Sequence, residues 1–227
     1  MRTPSYSYDV AVYDAAQRII LRSGCGAATV RAVAAESGVS PSTVRYHFRD
    51  QSHLLACAFT AVDDHFSHRD MWRAAPLHRV EVLEVSEAVQ IMMARLPADG
   101  ESLEQLRLLH AYRAWARHDW TMAISMSGFD RRLLNLCQVV LQRLGLPPAH
   151  VRRQARILRV VIGGLAEEIV TLCEPPEGER RLALADRITD RGVRAFLTEH
   201  LDAVLARAVA PHVCAPTADE PPVDRAG

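Results

Sequence analysis

Apolar residues recur at the three- to four-residue spacing of an α-helix along almost the whole chain, and the alternation typical of β-strands is absent. Glycine and proline interrupt this periodicity at intervals. The pattern predicts an all-α protein of about nine helices. Their expected spans are 8–23, 29–37, 40–48, 50–69, 78–95, 102–118, 128–144, 148–173 and 178–209. A capping box of Ser102 with Gln105 is expected to start the sixth helix.

We expect three regions along the chain. Residues 1–52 form a three-helix head with a helix-turn-helix, residues 53–209 form a larger helical body for ligand binding and dimerisation, and residues 210–227 form a disordered tail rich in Pro and Asp. At 227 residues, of which 49% are hydrophobic, the chain can bury a sizeable core. We use "head" and "body" for the first two regions below.

The charge is balanced overall but not evenly distributed. The chain has 27 basic and 27 acidic residues, and every basic residue is an arginine. Residues 1–56 carry six arginines against four acids. A slightly basic head suits contact with phosphates. Because the chain has no lysine, the groups that make such contacts must be Arg, hydroxyl groups, Tyr, His or backbone N–H groups.

Several other functions find little support in the sequence. The five cysteines are scattered without Cys-x-x-Cys spacing, and no apolar stretch reaches the roughly 18–20 residues of a membrane span. We therefore expect a soluble, cytoplasmic protein with reduced thiols and no membrane partner. Asp64 and His68 have the i, i+4 spacing of metal ligands, but no third ligand is evident. The motifs of hydrolases, metalloproteases and nucleotide-binding enzymes are absent, so we expect no enzyme activity, no cofactor and no metal.

Residues 29–48 read as two short helices joined by a tight Gly-Val turn. Thr29 and Ser40 are suited to capping the two helices, and Gly38 supplies the positive φ of the turn. The apolar positions of this segment would form a small shared core: Val33, Val39, Val44 and Phe48. This leaves an exposed face on the second helix, which is typical of a helix-turn-helix that enters the DNA major groove. An ordinary αα-hairpin is the alternative for the turn alone.

The run of residues from 15 to 55 resembles the head of the TetR family of transcriptional regulators. The matching residues are Ala16, Gly24, Thr29, Val30, Val33, Ala34, Gly38, Val39, Ser40, Thr43, Tyr46, His47, Phe48, Leu54 and Leu55. The resemblance implies an Ω-shaped homodimer of nine- or ten-helix chains. Its heads would bind a palindromic DNA operator, and its bodies would bind a small molecule and dimerise through their last two helices.

Carried over to this sequence, the resemblance and the exposed face give one set of predicted DNA-binding residues. They are Thr29, Arg31, Ser40, Ser42, Thr43, Arg45, Tyr46, His47, Arg49 and Gln51. Two of them depart from the family pattern. Arg45 stands where the family frequently has Tyr, and its guanidinium could contact either a base or a phosphate. Gln51 stands where the family frequently has Lys. This removes a positive charge from a phosphate site, and Arg49 could compensate for it.

The body offers candidates for an effector pocket among its large soft and aromatic residues. They are Trp72, Met92, Met93, His110, Trp115, Trp120, Met122 and Phe129. Ordinary core packing is the alternative for each of them. A further possibility is an aromatic cage for a cationic ligand, built from Tyr112, Trp115 and Trp120.

The last two helices are the expected dimer interface. Gly163 and Gly164 lie inside a strongly apolar helix, where glycine costs about 1 kcal/mol against alanine, so we expect them to admit a partner helix. Val160, Phe196 and Leu201 complete the predicted interface. The sequence thus favours a repressor that a small molecule releases from DNA. An activator, a regulator without a ligand, and a helical interaction protein or enzyme without DNA binding are the alternatives.

Overall fold

The computed structural model describes residues 6–73, 81–97, 99–172 and 192–209. Within these ranges it contains nine α-helices and no β-strand, which confirms the all-α prediction. In chain order they are α1 (Tyr6–Ser23), α2 (Val30–Ser37), α3 (Pro41–His47), α4 (Gln51–Arg73), α5 (Val85–Met93), α6 (Gly100–Trp115), α7 (Trp120–Arg143), α8 (Pro148–Leu172) and α9 (Arg194–Val209). The predicted tail 210–227 and the first part of the predicted last helix, 178–191, lie outside the described residues.

The helices of the head begin at the predicted caps. The Thr29 Oγ1 accepts a hydrogen bond from the Ala32 amide at 3.2 Å, and the Ser40 Oγ accepts one from the Thr43 amide at 3.1 Å. The Asp50 Oδ1 accepts one from the His53 amide at 2.8 Å and so caps α4. These bonds satisfy backbone donors that a helix start leaves unpaired. They fix where α2, α3 and α4 begin.

The turn between α2 and α3 depends on Gly38. Its backbone has φ 70°, in the left-handed region where a Cβ is disfavoured. This residue ends α2 and lets α3 fold back against it within three residues. Val33, Ala34, Val44 and Phe48 are buried where α2, α3 and α1 meet, and Val39 is half-buried beside them. The shared core predicted for the head is confirmed.

Three helix starts in the body were predicted wrongly. α5 begins at Val85, after its N-cap residue Glu84, rather than at residue 78. α7 begins at Trp120 rather than near residue 128, because Asp119 caps it by accepting from the Met122 amide at 2.8 Å. Gly128 lies inside this helix, where its cost of about 1 kcal/mol is smaller than the gain from burying Met126 and Phe129. α6 is capped by Asp99, and Ser102 is its reciprocal partner rather than the cap.

Helix α6 lies at the centre of the molecule. It packs against α1 of the head and against α4, α7 and α8 of the body. Its buried residues are Ser102, Leu103, Leu106, Leu108, Leu109 and Tyr112. A change in the body that moves α6 or α4 therefore acts on the helices that hold the head.

Candidate nucleic-acid interface and body cavity

Helix α3 presents one face to solvent. Within this seven-residue helix Val44 is buried, while Arg45 and Tyr46 on the opposite side are exposed, Tyr46 by 86%. No acidic residue occurs in α3. The face therefore offers only donors, a cation and an aromatic ring, which are the groups that meet phosphates and base edges.

Hydroxyl groups cluster at the N-terminus of α3. The Ser40 Oγ lies 2.9 Å from the Ser42 Oγ and 2.8 Å from the Thr43 Oγ1, within hydrogen-bonding distance of both. Because Ser40 also caps the helix, the first turn of α3 is held rigid. The Thr29 hydroxyl lies at the corresponding position of α2, where it accepts from the backbone and keeps its proton for a further acceptor.

The remaining basic candidates surround this face. Arg31 on α2 and Arg49 after α3 are exposed. His47 is half-buried, and its ring centroid lies 5.3 Å from that of Tyr46 at an interplanar angle of 86°. The structure thus brings nine of the predicted residues to the α2 and α3 side of the head.

Gln51 differs from the sequence-based expectation. Its Nε2 donates to the carbonyl oxygens of Cys25 at 3.0 Å and of Gly26 at 3.3 Å, in the 3₁₀ turn Cys25–Ala27 that follows α1. The side-chain amide of this predicted DNA-binding residue therefore donates inside the head. Through these bonds Gln51 ties the start of α4 to the turn after α1.

Glu36 on α2 forms a cluster with two arginines of α1. Arg18 donates to its carboxylate at 3.0 Å and Arg22 at 2.8 Å. The hydrogen bonds from Arg22 and Arg18 lower the pKa of Glu36 from its ordinary 4.5 to about 2. The cluster joins α1 to α2, and it neutralises the one acid of α2.

The body contains a small cavity between α4, α6, α7 and α8, and Arg95, which follows α5, also lines it. Its volume is about 30 Å³, enough for no more than a few water molecules. The residues that line it are Phe66, Arg95, Leu106, Leu109, His110, Arg113, Phe129, Leu133, Ile162, Gly163 and Ala166. Two predicted pocket residues, His110 and Phe129, are among them, together with Gly163 from the predicted dimer set.

The other predicted pocket residues lie elsewhere. Met92 and Met122 are buried in the core, and Met93 packs against it. Trp115 faces the head, since a Cβ on Gly26 would lie 3.8 Å from its ring. Trp120 is 79% exposed at the start of α7. Trp72 lies in the last turn of α4, where only the backbone is described.

The three rings that could have formed an aromatic cage lie apart. Tyr112 is fully buried, and its ring packs against Phe59 at a centroid distance of 5.3 Å. Burial raises the pKa of Tyr112, with a smaller contribution from the Cys25 thiol in the head. With Tyr112 and Trp115 at the junction with the head and Trp120 in solvent, these three rings do not enclose a ligand.

Comparison with known proteins bears on the head first. A family model described as "Bacterial regulatory proteins, tetR family" matches residues 12–57, which include α2, α3 and the start of α4. Over these residues the head is similar to that of the TetR family of transcriptional regulators. A curated relative, the HTH-type transcriptional regulator PksA of Bacillus subtilis (strain 168), is 29% identical over 107 residues. That match covers 47% of this chain and 50% of PksA, so it spans about half the length of the relative.

Solved structures share the fold over most of the chain. A transcriptional regulator from Rhodococcus sp. Rha1 superposes with a TM-score of 0.64 at 20% identity, covering 88% of this chain and 95% of that one. A transcriptional regulator from Saccharomonospora viridis, in complex with choline, has a TM-score of 0.64 at 16% identity, covering 89% and 97%. At these identities the likeness establishes the fold of the body.

Helix α4 is attached to the rest of the body by two polar contacts. The Ser52 hydroxyl donates to the Asp119 carboxylate before α7, and Arg132 on α7 pairs with Asp63 on α4. Burial alone would raise the pKa of Asp119, but hydrogen bonds from Ser52 and from the Met122 amide outweigh it and lower the pKa. The start and the middle of α4 are therefore both fixed to α7.

The residues predicted for the dimer interface divide into two groups. Val160 is 62% exposed, Gly164 is exposed, and Phe196 is 46% exposed, so apolar groups of both α8 and α9 are open to solvent. Leu201 is buried in the core of its own chain, where α9 packs against α5, and this removes it from the interface. Gly163 lines the cavity, and a Cβ there would meet no atom within 4 Å.

Among the described residues, no group of three or more His, Cys, Asp or Glu side chains converges as a metal ion would require. The His68 Nδ1 lies 2.9 Å from the Asp64 carbonyl oxygen of its own helix turn. None of the described helices combines the length and hydropathy of a bilayer crossing.

Proposed function

We propose that this chain is a ligand-responsive transcriptional repressor of the TetR family that binds a palindromic DNA operator as a homodimer and is released by a small molecule in the body. The observation that carries the proposal is the exposed face of α3. Arg45 and Tyr46 project from a helix that is capped by Ser40 and anchored by buried Val44.

The head suits the major groove in shape and charge. Direct reading of DNA requires one rigid helix whose N-terminal side chains reach base edges, with further donors placed for the flanking phosphates. Ser42, Thr43, Arg45 and Tyr46 supply the first set, and exposed Arg31 belongs to the second. The neutralised Glu36 leaves little negative charge near this face.

Dimerisation through α8 and α9 accounts for the exposed apolar surface of the body. Val160 and Phe196 are large apolar side chains on two neighbouring elements, and a helix face of this kind is covered when two chains pair their last helices. A symmetric dimer would hold two α3 helices about 34 Å apart, the distance between successive major grooves on one side of DNA.

The size of the cavity bears on how an effector would release the protein from DNA. Because about 30 Å³ holds no organic effector, an effector must displace lining side chains. Phe66 is the lining residue that belongs to α4, whose first turn follows α3 within three residues. Movement of α4 changes the separation of the two heads, so a ligand that binds the moved state better lowers DNA affinity. The choline complex of the Saccharomonospora viridis regulator supports a small-molecule effector in a chain of this fold.

The DNA assignment is tested by alanine variants of α3. We expect Arg45→Ala and Tyr46→Ala to weaken binding to a selected operator by about 1–3 kcal/mol each, as measured by fluorescence anisotropy. Arg131→Ala, at an exposed position of α7, is the matched control and should bind as the wild type does. Unchanged affinity and salt dependence in both α3 variants would show that α3 is not the recognition helix.

The dimer is tested by sedimentation velocity at micromolar concentration. We expect the wild type to sediment as a dimer and Val160→Asp to sediment as a monomer, because a carboxylate would be desolvated in the interface. Ile124→Asp changes an exposed apolar residue of α7 and should remain dimeric. A monomeric wild type would contradict the proposed assembly.

A reporter assay in cells distinguishes a repressor from an activator. A reporter placed behind the selected operator should be expressed more strongly when the gene is deleted. Lower expression on deletion would indicate an activator.

A further inference from the structure

A second, larger cavity lies between the start of α8 and the end of α9, and we call it the α8–α9 groove. Its volume is about 380 Å³. This lies within the range of roughly 300–1,000 Å³ that small-molecule sites occupy. The polar side chains that line it are His150, Arg153, Gln154, His200 and Arg207. They recur at helical spacing, so each helix presents them on one face.

The charge of the α8–α9 groove is positive. Within the described part of the chain, its lining contains no aspartate and no glutamate. Arg153 and Arg207 are exposed, and neither guanidinium forms an ion pair with another described residue. Arg113 and Arg132 of the body, in contrast, pair with carboxylates of their own chain. The two groove arginines therefore offer their donors to an external acceptor.

Two half-buried imidazoles, His150 and His200, complete the polar side of the groove. Burial lowers the pKa of His200, and the positive charge of Arg207 lowers it further. The neutral ring is thereby favoured, and it still has one N–H to donate. Phe196 stacks on this ring with centroids 6.2 Å apart and planes at 17°. The imidazole thus adds a donor to the groove beside the two guanidinium groups.

Apolar side chains form the rest of the lining. Leu146 and Val204 are buried, and Ile157 is 37% exposed on the same face of α8 as Arg153. An inorganic ion would leave this apolar part in contact with water. An organic group attached to the anion would cover it, which is favourable in proportion to the apolar area removed from water. The groove therefore suits an anion with an organic part.

The position of the groove separates it from the DNA-binding face. Val170 and Thr171, at the end of α8, line a surface cavity together with Ile20 and Leu21 of α1 in the head. Arg153 lies at the opposite end of α8, about 27 Å from Thr171 at 1.5 Å per residue. The groove is thus at the end of the body away from the head, where an operator phosphate is not expected.

We infer that the α8–α9 groove binds the phosphate monoester of a small organic molecule. A phosphate monoester carries a charge of about −1.5 to −2 at pH 7 and three acceptor oxygens, which match two guanidinium groups. The phosphoryl group contacts Arg153 and Arg207, with His200 as a further donor, and the organic part packs against Ile157 and Val204. This inference goes beyond the proposed function, because the site lies outside both the body cavity and the face of α3.

Four probes test the charge and the organic part of the ligand: phenyl phosphate, benzenesulfonate, benzyl alcohol and inorganic phosphate. Their dissociation constants are measured by isothermal titration calorimetry on the full chain at neutral pH and low ionic strength. We expect phenyl phosphate to bind about 10-fold more tightly than the singly charged benzenesulfonate and than inorganic phosphate, and benzyl alcohol to bind most weakly. Equal binding of phenyl phosphate and benzenesulfonate, or no binding of phenyl phosphate at millimolar concentration, would overturn the inference.

Variants of the two arginines test their assignment. Arg153→Gln and Arg207→Gln should each weaken phenyl phosphate binding by about 10-fold, because each removes a charge-assisted donor, while Arg153→Lys should retain part of the affinity. The matched control is Arg152→Gln, at an exposed arginine of α8 that does not line the groove, and it should bind as the wild type does. Wild-type affinity in both groove variants would contradict the inference. Thermal melts show that each variant has folded.

Two further measurements separate this inference from the proposed function. Because the groove is lined by one chain, Val160→Asp should keep phenyl phosphate binding even as a monomer, and absence of binding in both this variant and the wild type would overturn the site. Arg153→Gln should bind the operator as the wild type does. A chain that binds phenyl phosphate but no operator would support the site and contradict the proposed function, and the reverse result would contradict the site alone.

Discussion

Single residues in the head have functions set by their neighbours rather than by their type. Arg18 and Arg22 are basic residues of a basic head, yet both pair with Glu36 and serve to hold α1 against α2. Gln51 is directed to the turn after α1 by the carbonyl oxygens of Cys25 and Gly26. Arg45, in contrast, projects from α3 into solvent and is open to a ligand such as DNA.

The Glu36 cluster predicts a pH dependence of head stability. The pKa of this carboxyl is depressed from 4.5 to about 2 in the folded chain. Its contribution is therefore present above pH 4.5 and is lost as the pH falls from 4.5 towards 2. Urea unfolding at a series of pH values should show a steeper loss of stability over this range for the wild type than for Glu36→Gln.

A matched control for this experiment is Glu104→Gln, at an exposed glutamate of α6. It should keep the wild-type pH dependence. Equal slopes for the wild type and Glu36→Gln would contradict the role of the two arginines. The effect is expected to weaken at high salt, because the cluster is accessible to solvent.

At the scale of helices and turns, backbone geometry decides how α2 and α3 meet. The left-handed Gly38 should not tolerate a side chain, so Gly38→Ala is expected to destabilise the chain by about 1–2 kcal/mol in urea unfolding. The control is Gly163→Ala in α8, where a Cβ meets no atom within 4 Å. That variant should be neutral or stabilised by up to about 1 kcal/mol. A similar stability for the two variants would show that the turn is not strained by a Cβ.

Aromatic contacts connect the cavity to the junction with the head. Phe66 contacts Phe129 at 5.5 Å between centroids, Phe129 contacts Phe59 at 6.2 Å, and Phe59 contacts Tyr112 at 5.3 Å. Burial raises the pKa of Cys25, in the turn after α1, to about 12, and the thiol contributes to the raised pKa of Tyr112. This series of ring contacts thus connects α4 and α7 to the turn Cys25–Ala27, to which Gln51 donates.

This series predicts an effect of Phe59→Leu on coupling rather than on binding. The variant keeps an apolar side chain but removes both ring contacts. We expect effector binding and operator binding each to remain within a few-fold of the wild type, while the reduction of DNA affinity by the effector is weakened. Anisotropy titrations with and without a small molecule that releases the wild type from its operator measure this difference. An unchanged ligand effect would indicate that the coupling follows α4 alone.

For the whole molecule, local patterns predicted more than tertiary contacts did. Caps, the Gly38 turn and helical periodicity determine short stretches of chain, so the head and the all-α class were predictable. The cavity was not, because residues from four helices and Arg95 meet there only after folding. The spacing of Leu106, Leu109, His110 and Arg113 on α6 was visible in the sequence, but it does not specify which neighbour that face meets. Leu201 was misassigned for the same reason, since periodicity cannot distinguish a core face from an interface.

The central claim concerns the whole molecule: two heads of a symmetric dimer read DNA through α3. Selection from a random pool of double-stranded DNA with the purified full chain tests it most directly. We predict enrichment of a palindromic sequence whose half-sites are centred about 10 base pairs apart, or a multiple of that spacing, and no enrichment of that sequence by the Arg45→Ala, Tyr46→Ala double variant. A wild-type chain that enriches no sequence, or a double variant that enriches the same one, would contradict the account.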